Sequence, residues 1–183
     1  MAYMNFDRPI APDPYSLLPS VPSFSLISDD VIDGELMDIP FAHSNVGGED
    51  RSPQLAWSGF PKQTRGFVVT CLDPDAPTGS GFWHWSVVNI PASVTELPST
   101  SGGSDRALPQ GAFSVRNDYG SRGYGGAAPP AGDRLHRYFF VVHALDVERL
   151  DVTTDVPPAA VGYKTVFHTL ARATLTPTYR VSG

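Results

Sequence analysis

Two stretches about fifty residues apart bring together side chains that can do chemistry. Asp73-Pro74-Asp75-Ala76-Pro77 runs into Phe82-Trp83-His84-Trp85, and Tyr124-Gly125-Gly126 runs through Pro129-Pro130 to His136-Arg137-Tyr138. They supply two carboxylates, two imidazoles and a phenol, rimmed by prolines and aromatic rings, which are the parts of a small polar pocket. Pro74 and Pro77 fix φ around the carboxylates and so present them in one geometry. By strand alternation, His84 shares a face with Phe82 and Ser86, while Trp83 and Trp85 point the other way. His136 and Tyr138 share a face with Phe140 and Val142, so an apolar strand wall opens in a polar mouth. Arg137 points opposite and reads as a surface or ion-pair residue. Each residue alone has a plainer reading: an Asp-Pro turn for Asp73 and Asp75, and a core histidine for His84.

Three chemistries fit the set. A metal site could use two histidines and a carboxylate, but no short HxH, HxxxH or CxxC element anchors one. A hydrolase could use the carboxylate pair for acid–base work, with or without a metal. It lacks a G-x-S-x-G elbow, and Cys71 falls in mid-strand. An anion pocket could draw on imidazolium N–H, phenol O–H and loop backbone N–H donors. Asp73 and Asp75 would then orient the histidines and favour their charged forms. On that reading affinity falls as the histidines lose their protons, and His136→Ala abolishes binding at little cost in stability.

The elements that must position these residues are mostly strands. Phe24–Ser28, Leu55–Trp57, Phe67–Leu72, Trp83–Ile90 and Tyr138–Leu145 are aromatic or β-branched runs bounded by loop residues, with Ala112–Val115 weaker. Phe67–Leu72 is nearly all apolar and suits a strand covered on both faces. Residues 91–111 and 117–134 are long Gly-, Ser- and Pro-bearing loops, and the second carries half of the pocket. Residues 1–23 read as an extended arm, since five prolines between Pro9 and Pro22 forbid a helix interior there. Tyr15, Leu17 and Leu18 could pin it. Residues 24–183 then form a single domain. Ala159–Leu175 reads as one amphipathic helix opened by Pro157-Pro158 and stopped by Pro177.

With 41% hydrophobic and 17% charged residues the chain reads as globular, and 18 prolines with 17 glycines favour a turn-rich β architecture. A net charge of -6 without any basic run argues against nucleic acid and against anionic membrane surfaces. The single cysteine cannot form an internal disulfide. No stretch reaches the roughly 20 apolar residues that span a bilayer, and Met1–Ile10 has no signal-peptide apolar region. A cytoplasmic location is expected.

The spaced motifs resemble the phosphatidylethanolamine-binding protein family, also called Raf-kinase-inhibitor-like proteins, and its bacterial branch in particular. Its first signature is matched by Asp73-Pro74-Asp75-Ala76-Pro77 leading to His84-Trp85. Its second is matched by Tyr124, Gly126, Pro129-Pro130 and His136-Arg137-Tyr138. Ser52-Pro53-Gln54-Leu55-Ala56-Trp57-Ser58-Gly59 resembles an upstream element. The resemblance implies an all-β fold: a Greek-key β-sandwich with a few short helices and a C-terminal helix. It implies a non-enzymatic binding protein without cofactor or metal. The pocket would take phosphate, acetate or a phospholipid headgroup and be formed by Asp73, Asp75, His84, Gly126, Pro130, His136 and Tyr138. Pro77 and Pro129 would frame it, with Phe82 and Tyr124 at the mouth. Ala127 and Ala128 stand where many members carry glycine and would narrow the rim. Family members also inhibit kinases or serine proteases, so a protein partner is a second expectation, and bacterial relatives suggest a homodimer.

Overall fold

The computed structural model describes residues 7–183. Along them lie β1 (Ser25–Ile27), β2 (Leu55–Ser58), β3 (Gly66–Asp73), β4 (Phe82–Pro91), β5 (Glu96–Leu97), β6 (Phe113–Ser114), β7 (His136–Arg137), β8 (Phe139–Leu145), the helix α1 (Pro158–Val166), β9 (Thr169–Leu175) and β10 (Thr178–Tyr179). The expected strands all form, within a few residues of the boundaries read from the sequence. The longest runs build one antiparallel five-stranded sheet in the order β6-β4-β3-β8-β9, while β1-β2-β5 and β10-β7 form two smaller sheets.

Burial explains the layering. β3 and β8 are buried along their whole length. On one face of the main sheet Phe67, Val69, Cys71, Trp85, Phe140 and Val142 pack with Leu26, Leu55, Trp57 and Leu97 of the β1-β2-β5 sheet, which closes a β-sandwich. On the other face Val68, Val88 and Leu145 pack with Leu150 and Val161 of α1. Both faces being covered is what the unbroken apolar run of β3 requires.

The tail departs from the single helix expected over Ala159–Leu175. Pro158 opens α1 at a first-turn position, where its missing N–H costs nothing. The helix ends at Val166. Beyond it Ala171, Ala173 and Leu175 are buried at alternate positions, and their strand pairs with β8 from Phe140↔Leu175 to Leu145↔Thr169. The edge of the main sheet offers a full hydrogen-bond ladder to a period-two, threonine-bearing segment, and this outweighs the mixed helical spacing.

The register of β3 against β4 shifts between Cys71 and Leu72. Cys71 pairs with Trp85 and Leu72 with Trp83, so His84 is the extra residue of a β-bulge. The two tryptophans therefore lie on opposite faces of the sheet, not together as strict alternation predicts. Trp85 enters the sandwich core, and Trp83 borders a cavity beneath α1. His84 and Phe82 stay on the sandwich side, where they border a second cavity. Bulges re-aim side chains in this way beside functional sites.

The arm is not free-standing. A 3-10 turn at Pro14–Leu17 is capped by the Asp13 carboxylate on the Tyr15 N–H. The Tyr15 hydroxyl lies 3.1 Å from Thr70 Oγ1. Further on, Arg172 N–H donates to the Pro22 carbonyl and Phe24 N–H to the Arg172 carbonyl. Leu17 is exposed. Residues 1–6 of the expected arm lie outside the described residues.

Candidate functional site

The chain brings Asp73, Pro77, Phe82, His84, Pro129, Pro130, His136 and Tyr138 around one cavity of about 220 Å³ at the end of β3 and β4. That is below the roughly 300–1,000 Å³ of drug-sized pockets, and it suits a small polar group.

Asp73 organises one wall. Its Oδ1 accepts from the N–H groups of Asp75 (2.8 Å) and Ala76 (3.0 Å), which turns the chain after β3. Its Oδ2 accepts from His136 Nδ1 at 2.7 Å. The other nitrogen of His136, Nε2, donates to Asp133 Oδ2 at 3.0 Å. A ring flanked by two carboxylates holds both protons. Burial by itself lowers the His136 pKa, but the hydrogen bond and charge of Asp73, and then those of Asp133, outweigh it, and the net shift is upward. His136 is thus a buried imidazolium whose two N–H groups are both engaged, not the open ligand donor expected from the sequence. Asp133 in turn carries a two-pronged contact from Arg8 of the arm, at 3.0 and 2.8 Å. Burial alone raises the Asp133 pKa, but these hydrogen bonds from Arg8 and His136 carry it well below the usual carboxylate range.

His84 behaves in the opposite sense. Its Nδ1 donates to the Gly125 carbonyl at 2.7 Å, which leaves Nε2 without a hydrogen-bond partner among the described residues. Burial lowers its pKa more than the Gly125 contact and the Asp73 charge raise it. The sequence predicts two histidines favoured as cations; the structure gives one, because no carboxylate is hydrogen-bonded to His84. Beside it, the Tyr138 ring meets His84 edge-on with centroids 5.1 Å apart. The Tyr138 hydroxyl is buried with no partner among the described residues, and burial pushes its pKa well above the ordinary phenol value.

Three sequence-chosen residues take other places. Asp75 does not line the cavity. The turn set by Asp73 directs its carboxylate onto Arg137, with Nε–Oδ2 2.7 Å and a second nitrogen 2.8 Å from Oδ1, so it orients an arginine and not a histidine. Tyr124 is buried in the core, not at the mouth. Its hydroxyl donates to the Phe41 carbonyl at 2.9 Å and its ring stacks on Phe140. Gly126 shapes the loop from behind, donating its N–H to Asp50 Oδ1 at 2.8 Å. A β-carbon there would overlap the backbone of Ala42 and His43. Ala128 borders the cavity, while Ala127 is fully buried in the core, so only the former can narrow the rim.

Other contributors went unchosen. Tyr119 lines the cavity, donates its hydroxyl to the Gly126 carbonyl at 3.0 Å and sets its ring edge-on to Phe82 and His84. An aromatic ring in an otherwise polar turn was its one signal. Asp118 beside it accepts from the Trp83 N–H at 2.7 Å, which docks the loop on the bulge. Asp133 announces itself only by standing three residues before His136. Arg8 gives no local signal, because its partner is 125 residues away.

Comparison with known proteins places the chain in a family. The profile described as phosphatidylethanolamine-binding protein matches residues 27–180, so the arm before Ile27 lies outside it. The chain is 50% identical over 153 residues to the UPF0098 protein YbhB of Escherichia coli strain K12, covering 82% of this chain and 96% of that protein. The crystal structure of E. coli YbcL, described as a new member of the mammalian PEBP family, superposes with a TM-score of 0.85 at 46% identity, covering 87% of this chain and 99% of that one. A PEBP homologue from Chlamydia trachomatis, CT736, superposes with a TM-score of 0.72 at 27% identity over 86% of this chain and 97% of that one. Among the described residues no helix is long and apolar enough to cross a membrane.

Proposed function

This chain belongs to the phosphatidylethanolamine-binding protein family, and we propose that it acts as a non-enzymatic binding protein whose pocket takes one small phosphate-type oxyanion. Free phosphate and the phosphate of a phospholipid headgroup share this chemistry. The observation that carries the reading is the Tyr138 hydroxyl: buried, unpartnered, and bordering a cavity whose carboxylates and His136 are already paired. A buried O–H without an acceptor is costly and calls for one. Its raised pKa keeps it a donor.

The carboxylates nearest the pocket are paired before any ligand arrives. Asp73, Asp75 and Asp133 face Arg8, Arg137 and protonated His136. An entering anion therefore favours one more proton, and His84 Nε2 is the vacant position for it. Protonated there, His84 donates to the oxyanion while Nδ1 keeps its bond to Gly125. Affinity then rises as pH falls towards the depressed pKa of free His84. The non-enzymatic part of the reading rests on the lack of an activated nucleophile. The Cys71 thiol is buried in β3 with its pKa pushed well above the ordinary value by burial and then by Asp73, and no base is hydrogen-bonded to the Tyr138 hydroxyl.

The test is an NMR titration of wild type and Tyr138→Phe with inorganic phosphate, glycerophosphoethanolamine and sulfate. Saturable shifts at Tyr138 and His84, with affinity reduced about tenfold or more in Tyr138→Phe, are the expected result. Sulfate, which does not titrate near neutrality, isolates the His84 proton: its affinity should climb from pH 8 to 5. Equal affinity in the variant, or a flat sulfate profile, would overturn the pocket as drawn. Tighter binding of glycerophosphoethanolamine than of phosphate identifies the headgroup as the source.

A further inference from the structure

A larger cavity, about 450 Å³, lies on the other face of the main sheet, between that sheet, α1 and the arm. Its floor and walls are mainly carbon: Leu72, Trp83, Tyr15 and Val166 among them. Yet three residues bordering it carry buried polar atoms without a hydrogen-bond partner among the described residues: His143 Nδ1, Thr165 Oγ1 and Arg172 Nε. Native interiors seldom leave such atoms unsatisfied, and a group gathered around one cavity points to an occupant.

Arg172 sets the chemistry of that occupant. Its guanidinium leans over the Tyr15 ring at 5.2 Å. No carboxylate lies within ion-pair distance of it among the described residues, and Asp13 of the arm acts on it only from further away. A half-buried guanidinium without a counter-ion is an unmet electrostatic demand, and its planar fork matches a carboxylate. His143 cannot supply a second positive charge, since burial holds its pKa down at about 3. A dianion would therefore be only half neutralised here, while a monoanion is matched.

We infer that this cavity binds a medium-length aliphatic monocarboxylate, its chain lying along Leu72, Trp83 and Val166 and its carboxylate on Arg172. His143 Nδ1 and Thr165 Oγ1 lie buried behind this wall, so the guanidinium of Arg172 is the group that meets the carboxylate. Tyr15 closes the arm side of the cavity and holds its ring against the guanidinium. The site shares no lining residue with the phosphate pocket, so the two readings stand or fall separately.

The experiment uses the full chain and decanoate, below its aggregation concentration, followed by NMR and tryptophan fluorescence. Saturable binding that shifts the Trp83 indole and His143 ring but not Tyr138 is expected. Decanol, which keeps the chain and loses the charge, should bind at least about tenfold more weakly, and Arg172→Gln should lose a similar factor for decanoate. Gly162→Leu is the control that keeps the fold. Gly162 borders the cavity, a β-carbon there meets nothing within 4 Å, and leucine is the better helix former. It should abolish decanoate binding and leave phosphate binding unchanged. Absence of saturation, equal affinity for decanol, or undiminished binding by Gly162→Leu would each overturn the proposal. So would self-association that covers this face and proves insensitive to decanoate.

Discussion

The two cavities are fed by neighbours in the chain. Leu72 and Trp83 border the apolar one, Asp73 and His84 the polar one. The apolar cavity is about twice the volume, 450 against 220 Å³, yet the contrast in how they treat polar groups is the more instructive. In the small pocket each carboxylate has its cation, and only a neutral hydroxyl and one imidazole nitrogen are left over. In the large one a cation, an imidazole and a hydroxyl are left over, and among the described residues no carboxylate is in ion-pair contact with the cation. Burial of charge is expensive unless it is paired. The first cavity meets that requirement from neighbouring residues, and the second does not, which is why we infer an occupant for it.

The hardest break in this comparison is His136→Ala. Removing the shared cation strands Asp73 and Asp133 as buried carboxylates, and urea unfolding near pH 6 should show a loss of about 3–5 kcal/mol. This reverses the small cost expected from the sequence, and a loss below about 1 kcal/mol would mean the pairing is incidental. The sign of the pH dependence follows from the raised His136 pKa. Its contribution is full below the ordinary value of about 6.5 and is lost as pH rises through the folded value. The gap between wild type and variant should therefore shrink at alkaline pH.

His143 gives the opposite slope from the other face. With a folded pKa of about 3 against about 6.5 unfolded, it stabilises above 6.5 and loses that contribution as pH falls, at about 1.4 kcal/mol per unit. His143→Leu should remove the slope. Relative to wild type it should gain about 3 kcal/mol between pH 7 and pH 4.5, measured by urea unfolding at both.

The smallest effects sharpen the contrast furthest. Tyr138→Phe and Thr165→Val each delete an unpartnered buried hydroxyl, so each should change stability by less than about 0.5 kcal/mol or raise it slightly. Only the first should weaken phosphate. A loss of more than about 1 kcal/mol in either would show that the hydroxyl has an acceptor after all.

Much of this was legible in the sequence, and what was not has physical reasons. The central strands were readable because Phe67–Leu72 and Tyr138–Leu145 combine apolar runs with β-branching. The pocket residues were readable because they crowd the ends of those strands. The bulge at His84 was not, since alternation assumes an unbroken ladder and the extra residue exists only in the pairing with β3. The division of the histidines into one cation and one neutral ring depends on which carboxylates reach each ring: Asp73 and then Asp133 hold His136, and Asp133 is itself held by Arg8 from the far end of the chain. Thr169–Leu175 was misread because its strand character comes from the partner edge of β8, which no local window contains.

The arm has one further consequence. Arg8 grips Asp133 beside the small pocket, the Ala11 carbonyl takes an N–H from Arg137, and Tyr15 closes the large cavity on the opposite face. Eight residues, Arg8 to Tyr15, therefore tie the two cavities to a single piece of backbone. Should a ligand displace Tyr15 and so alter the grip on Asp133, linkage would require reciprocity. Whatever factor one occupant imposes on the other's affinity is returned in equal measure. The chain needs no hinge or subunit for such communication, only a segment too short to move at one end without moving at the other.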